Sequence, residues 1–142
     1  MKVSARNVFH GKVSAITAGA VNSEVDLTTD GGDKLVAIVT QASVRELGLA
    51  PGKPAFALVK APWVMLLTDD AGVHFSARNR LRGTVSKLVP GAVNTDVVLS
   101  LPGGSQVHAV ITSEAVRELG LKEGSTATAL IKASHVVLGV AG

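Results

Sequence analysis

The chain has 142 residues, 46% of them hydrophobic and only 3% aromatic, with no cysteine and a formal net charge of +3. That length and apolar content supply a globular core for one ordinary domain or two very small ones. The missing cysteines remove disulfides, thiolate metal ligands and cysteine nucleophiles together, and fit a reducing, cytoplasmic setting. Apolar runs such as residues 64–67 fall far short of a membrane span, and the opening MKVSARNVFHGKV lacks the continuous apolar stretch of a signal peptide. The reading is a soluble, unprocessed chain with no membrane partner. The charge is uneven: residues 1–70 balance seven Lys/Arg against seven Asp/Glu, whereas 73–142 carry seven against four and so hold the whole surplus.

In chain order, residues 3–16 form an extended stretch in which Gly11 marks a bulge or kink. Val21, Ser23, Val25 and Leu27 then alternate with Asn22, Glu24 and Asp26, a period of two that puts one face on a core and the other in water. Gly31-Gly32 predicts a hairpin turn into a second strand over 34–40. A short helix follows over 41–47, with Thr40 as its cap, Val44 and Leu47 on one face and Gly48 as its stop. The Val-, Ile- and Leu-rich run 55–67 is extended again, and the polar join Asp69-Asp70-Ala71-Gly72 ends the series.

The same series then repeats. Shifted by 72 residues, the two halves align without a gap and with about thirty identities, far above chance. SARN (4–7) returns at 76–79, GAVN (19–22) at 91–94 and VRELGL (44–49) at 116–121. The expected architecture is all-β with one short helix per repeat: two tandem small β-barrels of the oligonucleotide/oligosaccharide-binding (OB) type, over residues 1–70 and 73–142.

Enzyme chemistry finds no support. His10, His74, His108 and His135 each face a different residue type in the other repeat, and Glu46 and Glu118 recur only as solvated helix residues beside Arg45 and Arg117. No phosphate loop or nucleophile elbow is present. What the duplication keeps is donors: Ser4, Arg6, Thr40 and Lys60, then Ser76, Arg78, Thr112 and Lys132, with no carboxylate in the set. A planar guanidinium fork, a mobile ammonium and two hydroxyls suit a tetrahedral dianion, whose every face accepts hydrogen bonds. Each also has a plainer role: Ser4 and Thr40 as turn and cap residues, Arg6 and Lys60 as solvated edge charges.

SARN, GAVN, VRELGL and VKAP or IKAS, each occurring twice, together resemble the molbindins, proteins with two tandem Mop (molybdopterin-binding-protein-like) domains. The resemblance covers essentially the whole chain. It implies a homotrimer with oxyanions held between domains and subunits, and cytoplasmic storage or homeostasis of molybdate, with tungstate as a near-isostere. By position it places an anion site at Ser4, Arg6, Thr40, Lys60, Ala61 and Pro62, and a second at Ser76, Arg78, Thr112, Lys132, Ala133 and Ser134. Pro62 stands where the second repeat has Ser134 and lacks both its hydroxyl and its N–H, so the first set is expected to bind more weakly or differently. A further class of site would use the turn backbone at Val21, Asn22, Val93 and Asn94.

Capture would be reversible, with no turnover. Donors without an acceptor disfavour protonated phosphate, whose O–H would be left unpaired. The rival reading is a nucleic-acid-binding barrel, favoured by fold and net charge but opposed by scattered basic residues and strands without interleaved aromatics. A molybdate-responsive regulator would need a DNA-binding helix-turn-helix, and a molybdate-transporter ATPase subunit a phosphate loop. Neither segment is seen in this sequence.

Overall fold

A computed structural model describes residues 1–69 and 71–142. Asp70, in the middle of the expected join, lies outside them. The first repeat forms β1 (Asn7–Ala18), β2 (Asn22–Thr29), β3 (Lys34–Thr40), α1 (Gln41–Leu47), β4 (Pro54–Val59), a 3-10 turn (Ala61–Trp63) and β5 (Met65–Leu67). The second follows it as β6 (Asn79–Pro90), β7 (Asn94–Ser100), β8 (Gln106–Thr112), α2 (Ser113–Leu119), β9 (Thr126–Ile131), a 3-10 turn (Ala133–His135) and β10 (Val137–Gly139). The molecule is mostly strand, in two five-stranded antiparallel sheets of the OB-like type.

The sheets do not divide where the sequence repeats. One runs β10-β4-β1-β2-β3 and the other β5-β9-β6-β7-β8, so each takes its outermost short strand from the other repeat. Met65 pairs with Leu130 on β9, and Val137 with Leu58 on β4. The reason lies in the five residues after β4, Lys60-Ala61-Pro62-Trp63-Val64, which include no glycine, asparagine or aspartate able to take the left-handed positions of a tight hairpin. A 3-10 turn flanked by extended Lys60 and Val64 carries the chain onward instead of back onto β4. Lys132-Ala133-Ser134-His135-Val136 does the same in the second repeat.

Local signals are otherwise obeyed. The Thr40 hydroxyl accepts from Ser43 N at 3.0 Å at the start of α1, and Gly48 ends that helix at φ 64°. Thr112 and Gly120 do the same for α2, with 3.1 Å from Ala115 N and φ 64°. Gly32 turns the β2–β3 hairpin at φ 97°, its N–H donating to Thr29 O.

The long first strand differs in one respect. Its bulge falls between Val13 and Ala15, not at Gly11, and the matching one in β6 between Val85 and Lys87. The extra residues, Ser14 and Ser86, donate their hydroxyls across to Asp26 O and Val98 O. Gly11 has another duty: a Cβ there would sit 2.1 Å from Thr28 O, so β1 and β2 close only without a side chain.

Val25, Leu27, Leu35, Ala37, Ala57 and Val59 in one barrel, and Val97, Leu99, Val107, Ala109, Ala129 and Ile131 in the other, belong to one continuous buried cluster. Val21, expected on the core face, is instead 72% exposed, because it belongs to the turn preceding β2.

Candidate anion-binding site

Each SARN segment enters its long strand on an asparagine. Asn7 is 1% exposed and lies against the edge strand of the other repeat, where Nδ2 donates to His108 O at 2.8 Å and Oδ1 accepts from His108 N at 2.7 Å. Asn79 treats Val36 identically, at 2.8 and 2.7 Å, and also donates to Ile131 O at 3.2 Å. Residues 36 and 108 are themselves repeat equivalents. A side-chain amide thus completes the ladder at one point on β3 and one on β8, and it fixes the preceding arginine beside the other repeat.

Arg6 consequently meets β7, its Nη1 donating to Asp96 Oδ2 at 2.7 Å, and Arg78 meets β2, donating to Glu24 Oε1. Each arginine of the expected donor set is thus paired with an acid of the other repeat that the set does not include. Glu24 belongs to the face of its strand expected in water, yet it and its repeat equivalent Asp96 each pair with one of the arginines. The single chain shows why: the partner residues are 90 positions apart for Arg6 and Asp96, beyond any local pattern.

The lysine segments cross over as well. The turn holding Ala61 and Pro62 packs on β8, and that holding Ala133 and Ser134 packs on β3. Arg6 and the turn that follows Lys60 thus lie with elements of the second repeat, while Thr40 ends β3 on the opposite side of the exchange. Thr40 pairs with Asn22 and Thr112 with Asn94, and the Val21 and Val93 carbonyls accept from Gln41 N and Ser113 N, so each GAVN turn is tied to a helix start. Ala61 and Ala133 are buried, whereas Ser4, Arg6, Lys60, Pro62, Ser76, Arg78, Lys132 and Ser134 are exposed on the single chain, as are Thr40, Thr112 and the four turn residues.

The two 3-10 turns meet. The Trp63 and His135 rings lie 4.9 Å apart, and the Lys60 ammonium sits 5.3 Å from the centre of the Trp63 ring, within cation–π reach. His108, beside the Arg6–Asp96 pair, has its imidazole pushed below the ordinary histidine range by burial and then by the Arg6 charge, with Asp96 pulling the other way. Among the described residues no three His, Asp or Glu side chains gather as a metal cluster would require. The chemistry on offer is hydrogen-bond donation and positive charge, tempered at each arginine by the paired carboxylate.

The TOBE domain profile matches residues 3–66 and again 76–138. The chain belongs to the TOBE domain family. Curated relatives of this TOBE protein include the molybdenum-pterin-binding protein MopA of Rhodobacter capsulatus, 46% identical over 138 residues, 97% of this chain and 52% of MopA. The molybdenum transport protein ModE of Herbaspirillum seropedicae is 46% identical over 140 residues, 99% of this chain and 52% of ModE. The chain therefore spans about half the length of the curated relatives it matches. A solved structure of the cytoplasmic molybdate-binding protein ModG, with molybdate bound, is 58% identical with a TM-score of 0.95, covering 99% of this chain and 100% of that one.

Reading the TOBE repeats as sequence picks out the arginines and lysines but misses Asn7, Asn79, Glu24 and Asp96. A signal was present for all of them. The asparagines recur within SARN, and position 24 against 96 keeps an acid in both copies.

Proposed function

We propose that this TOBE protein binds molybdate reversibly, with tungstate as a near-isosteric alternative, and serves intracellular molybdenum storage or homeostasis in the cytoplasm without chemical turnover. One observation carries the reading. A chain that superposes over 99% of its length on a molybdate-bound protein repeats, at equivalent places in both halves, a guanidinium paired to the other repeat and a lysine followed by a turn that packs on the other repeat.

Arg6 with Lys60, and Arg78 with Lys132, supply the charge that offsets a dianion. Ser4, Ser76, Thr40, Thr112 and Ser134, with backbone N–H groups near Ala61 and Ala133, supply the geometry. Pro62 offers neither hydroxyl nor N–H, so the first site binds more weakly than the second or in a different manner. The turn residues Val21, Asn22, Val93 and Asn94 form a second class of site. That the donors lie open on the single chain supports their completion by neighbouring subunits in a homotrimer, and the bare side chains of Val21 and Val93, each 72% exposed, support burial there. Mass by light scattering checks this: a stable monomer would remove the shared sites.

Further relatives named as the transcriptional regulator ModE favour a second reading, the sensor part of a molybdenum-responsive regulator. The same ligand chemistry serves both, and a DNA-binding function would rest on segments other than the two repeats.

Isothermal titration of anion-stripped protein with molybdate, then sulfate, tests the proposal. Saturable molybdate heat, absent with sulfate and reduced in Arg78→Ala or Lys132→Ala, is the expected result. No molybdate heat at micromolar protein overturns it.

A further inference from the structure

Both arginines of the anion site are already engaged by a carboxylate. Glu24 and Asp96 occupy equivalent positions of the two repeats, on β2 and β7, and each reaches the arginine of the opposite SARN segment. The pair recurs in register across the exchange although the acid differs, Glu in one repeat and Asp in the other. The carboxylate side chains are only 25% and 29% exposed, whereas both arginine side chains are 55% exposed. The carboxylate is thus the held partner, tucked against the sheet, and the guanidinium is the open one. A guanidinium has five N–H donors, and one contact to a carboxylate leaves the others for a second anion.

We infer that Glu24 and Asp96 are positioning residues that set the charge of the two oxyanion sites, each orienting an arginine fork while cancelling one of the two positive charges beside the bound ion. The inference rests on the oxyanion reading above. With Arg and Lys uncompensated, a site would present two positive charges to a dianion. With the carboxylate in place it presents one. The result is an affinity lowered more for dianions than for monoanions, which suits a protein that must release its ion as readily as it takes it up.

The size of the effect follows from Coulomb's law. A unit charge roughly 6 Å from the bound ion in a water-like dielectric weakens a monoanion about threefold and a dianion about tenfold. A role confined to holding the arginine in place would act on both ions alike, because the same N–H groups would be misplaced for each.

The test compares molybdate with perrhenate, a tetrahedral monoanion of similar size, by isothermal titration of the full chain in low salt. Glu24→Gln and Asp96→Asn are made one at a time, keeping shape and removing charge. Circular dichroism checks folding, and either variant suffices if the other fails to fold. The expected result is molybdate binding tightened about tenfold at the altered site and perrhenate about threefold, so that the molybdate-to-perrhenate ratio rises by about a factor of three. Unchanged affinity, or equal weakening of both ions, overturns the inference while leaving oxyanion binding intact. Failure of the wild-type protein to bind molybdate at all overturns the oxyanion reading, and this inference with it.

Discussion

Asn7 and His108 are 101 residues apart, yet the Asn7 side chain closes both backbone hydrogen bonds of His108, at 2.8 and 2.7 Å. A buried amide used as a surrogate strand residue leaves two main-chain groups unpaired when it is removed. Asn7→Ala is expected to cost about 2–4 kcal/mol, since unpaired buried groups are charged their full desolvation. Asn79→Ala, which loses a third bond to Ile131 O, costs at least as much. Urea unfolding checks both, and losses under about 0.5 kcal/mol would mean that water replaces the amide at no cost.

Gly11→Ala is expected to destabilise the chain more than Gly83→Ala. The added Cβ would lie 2.1 Å from Thr28 O in the first case and 2.5 Å from Ser100 O in the second, and in both the obstacle is backbone that cannot rotate away. Melting temperatures ranked wild type, then Gly83→Ala, then Gly11→Ala are the outcome to look for. A bulge at Gly11 would have tolerated alanine.

The His108 imidazole is lowered in the fold, so the unfolded chain takes up its proton more readily. The stabilisation from keeping it neutral is therefore complete above the ordinary histidine range and is lost as pH falls through that range towards the lowered value. The melting temperature of the wild type should drop more steeply between about pH 7 and about pH 5 than that of His108→Gln. Parallel profiles would remove His108 from the account.

Trp63, the chain's one tryptophan, carries the Lys60 ammonium 5.3 Å from its ring centre. An oxyanion that draws Lys60 towards itself weakens that contact, so molybdate is expected to change Trp63 emission in the wild type and not in Lys60→Met. An identical change in both would place the ion's effect elsewhere, with the Trp63–His135 ring contact as the next element to vary.

Much of this architecture is legible in the residues themselves. The Ser23, Val25, Leu27 alternation, the Gly31-Gly32 hairpin and the Thr40 and Gly48 limits of the helix are all local, decided within a few residues of backbone preference, and each is found in the fold. The run 55–67 is less legible, because apolar content says strand but not which sheet. The turn at Ala61–Trp63 breaks it, and β5 goes to the other barrel.

The sequence by itself determined the duplication, the OB-like class of each repeat, and the arginines and lysines that recur. Only the tertiary structure decided that the repeats exchange their last strands, and hence that Arg6 meets Asp96 and Arg78 meets Glu24. The physical reason is the likeness of the repeats. With β4 and β9 offering equivalent edges to β5 and β10, hydrophobic pattern fits either partner equally well, and the choice falls to a glycine-free turn that cannot fold back.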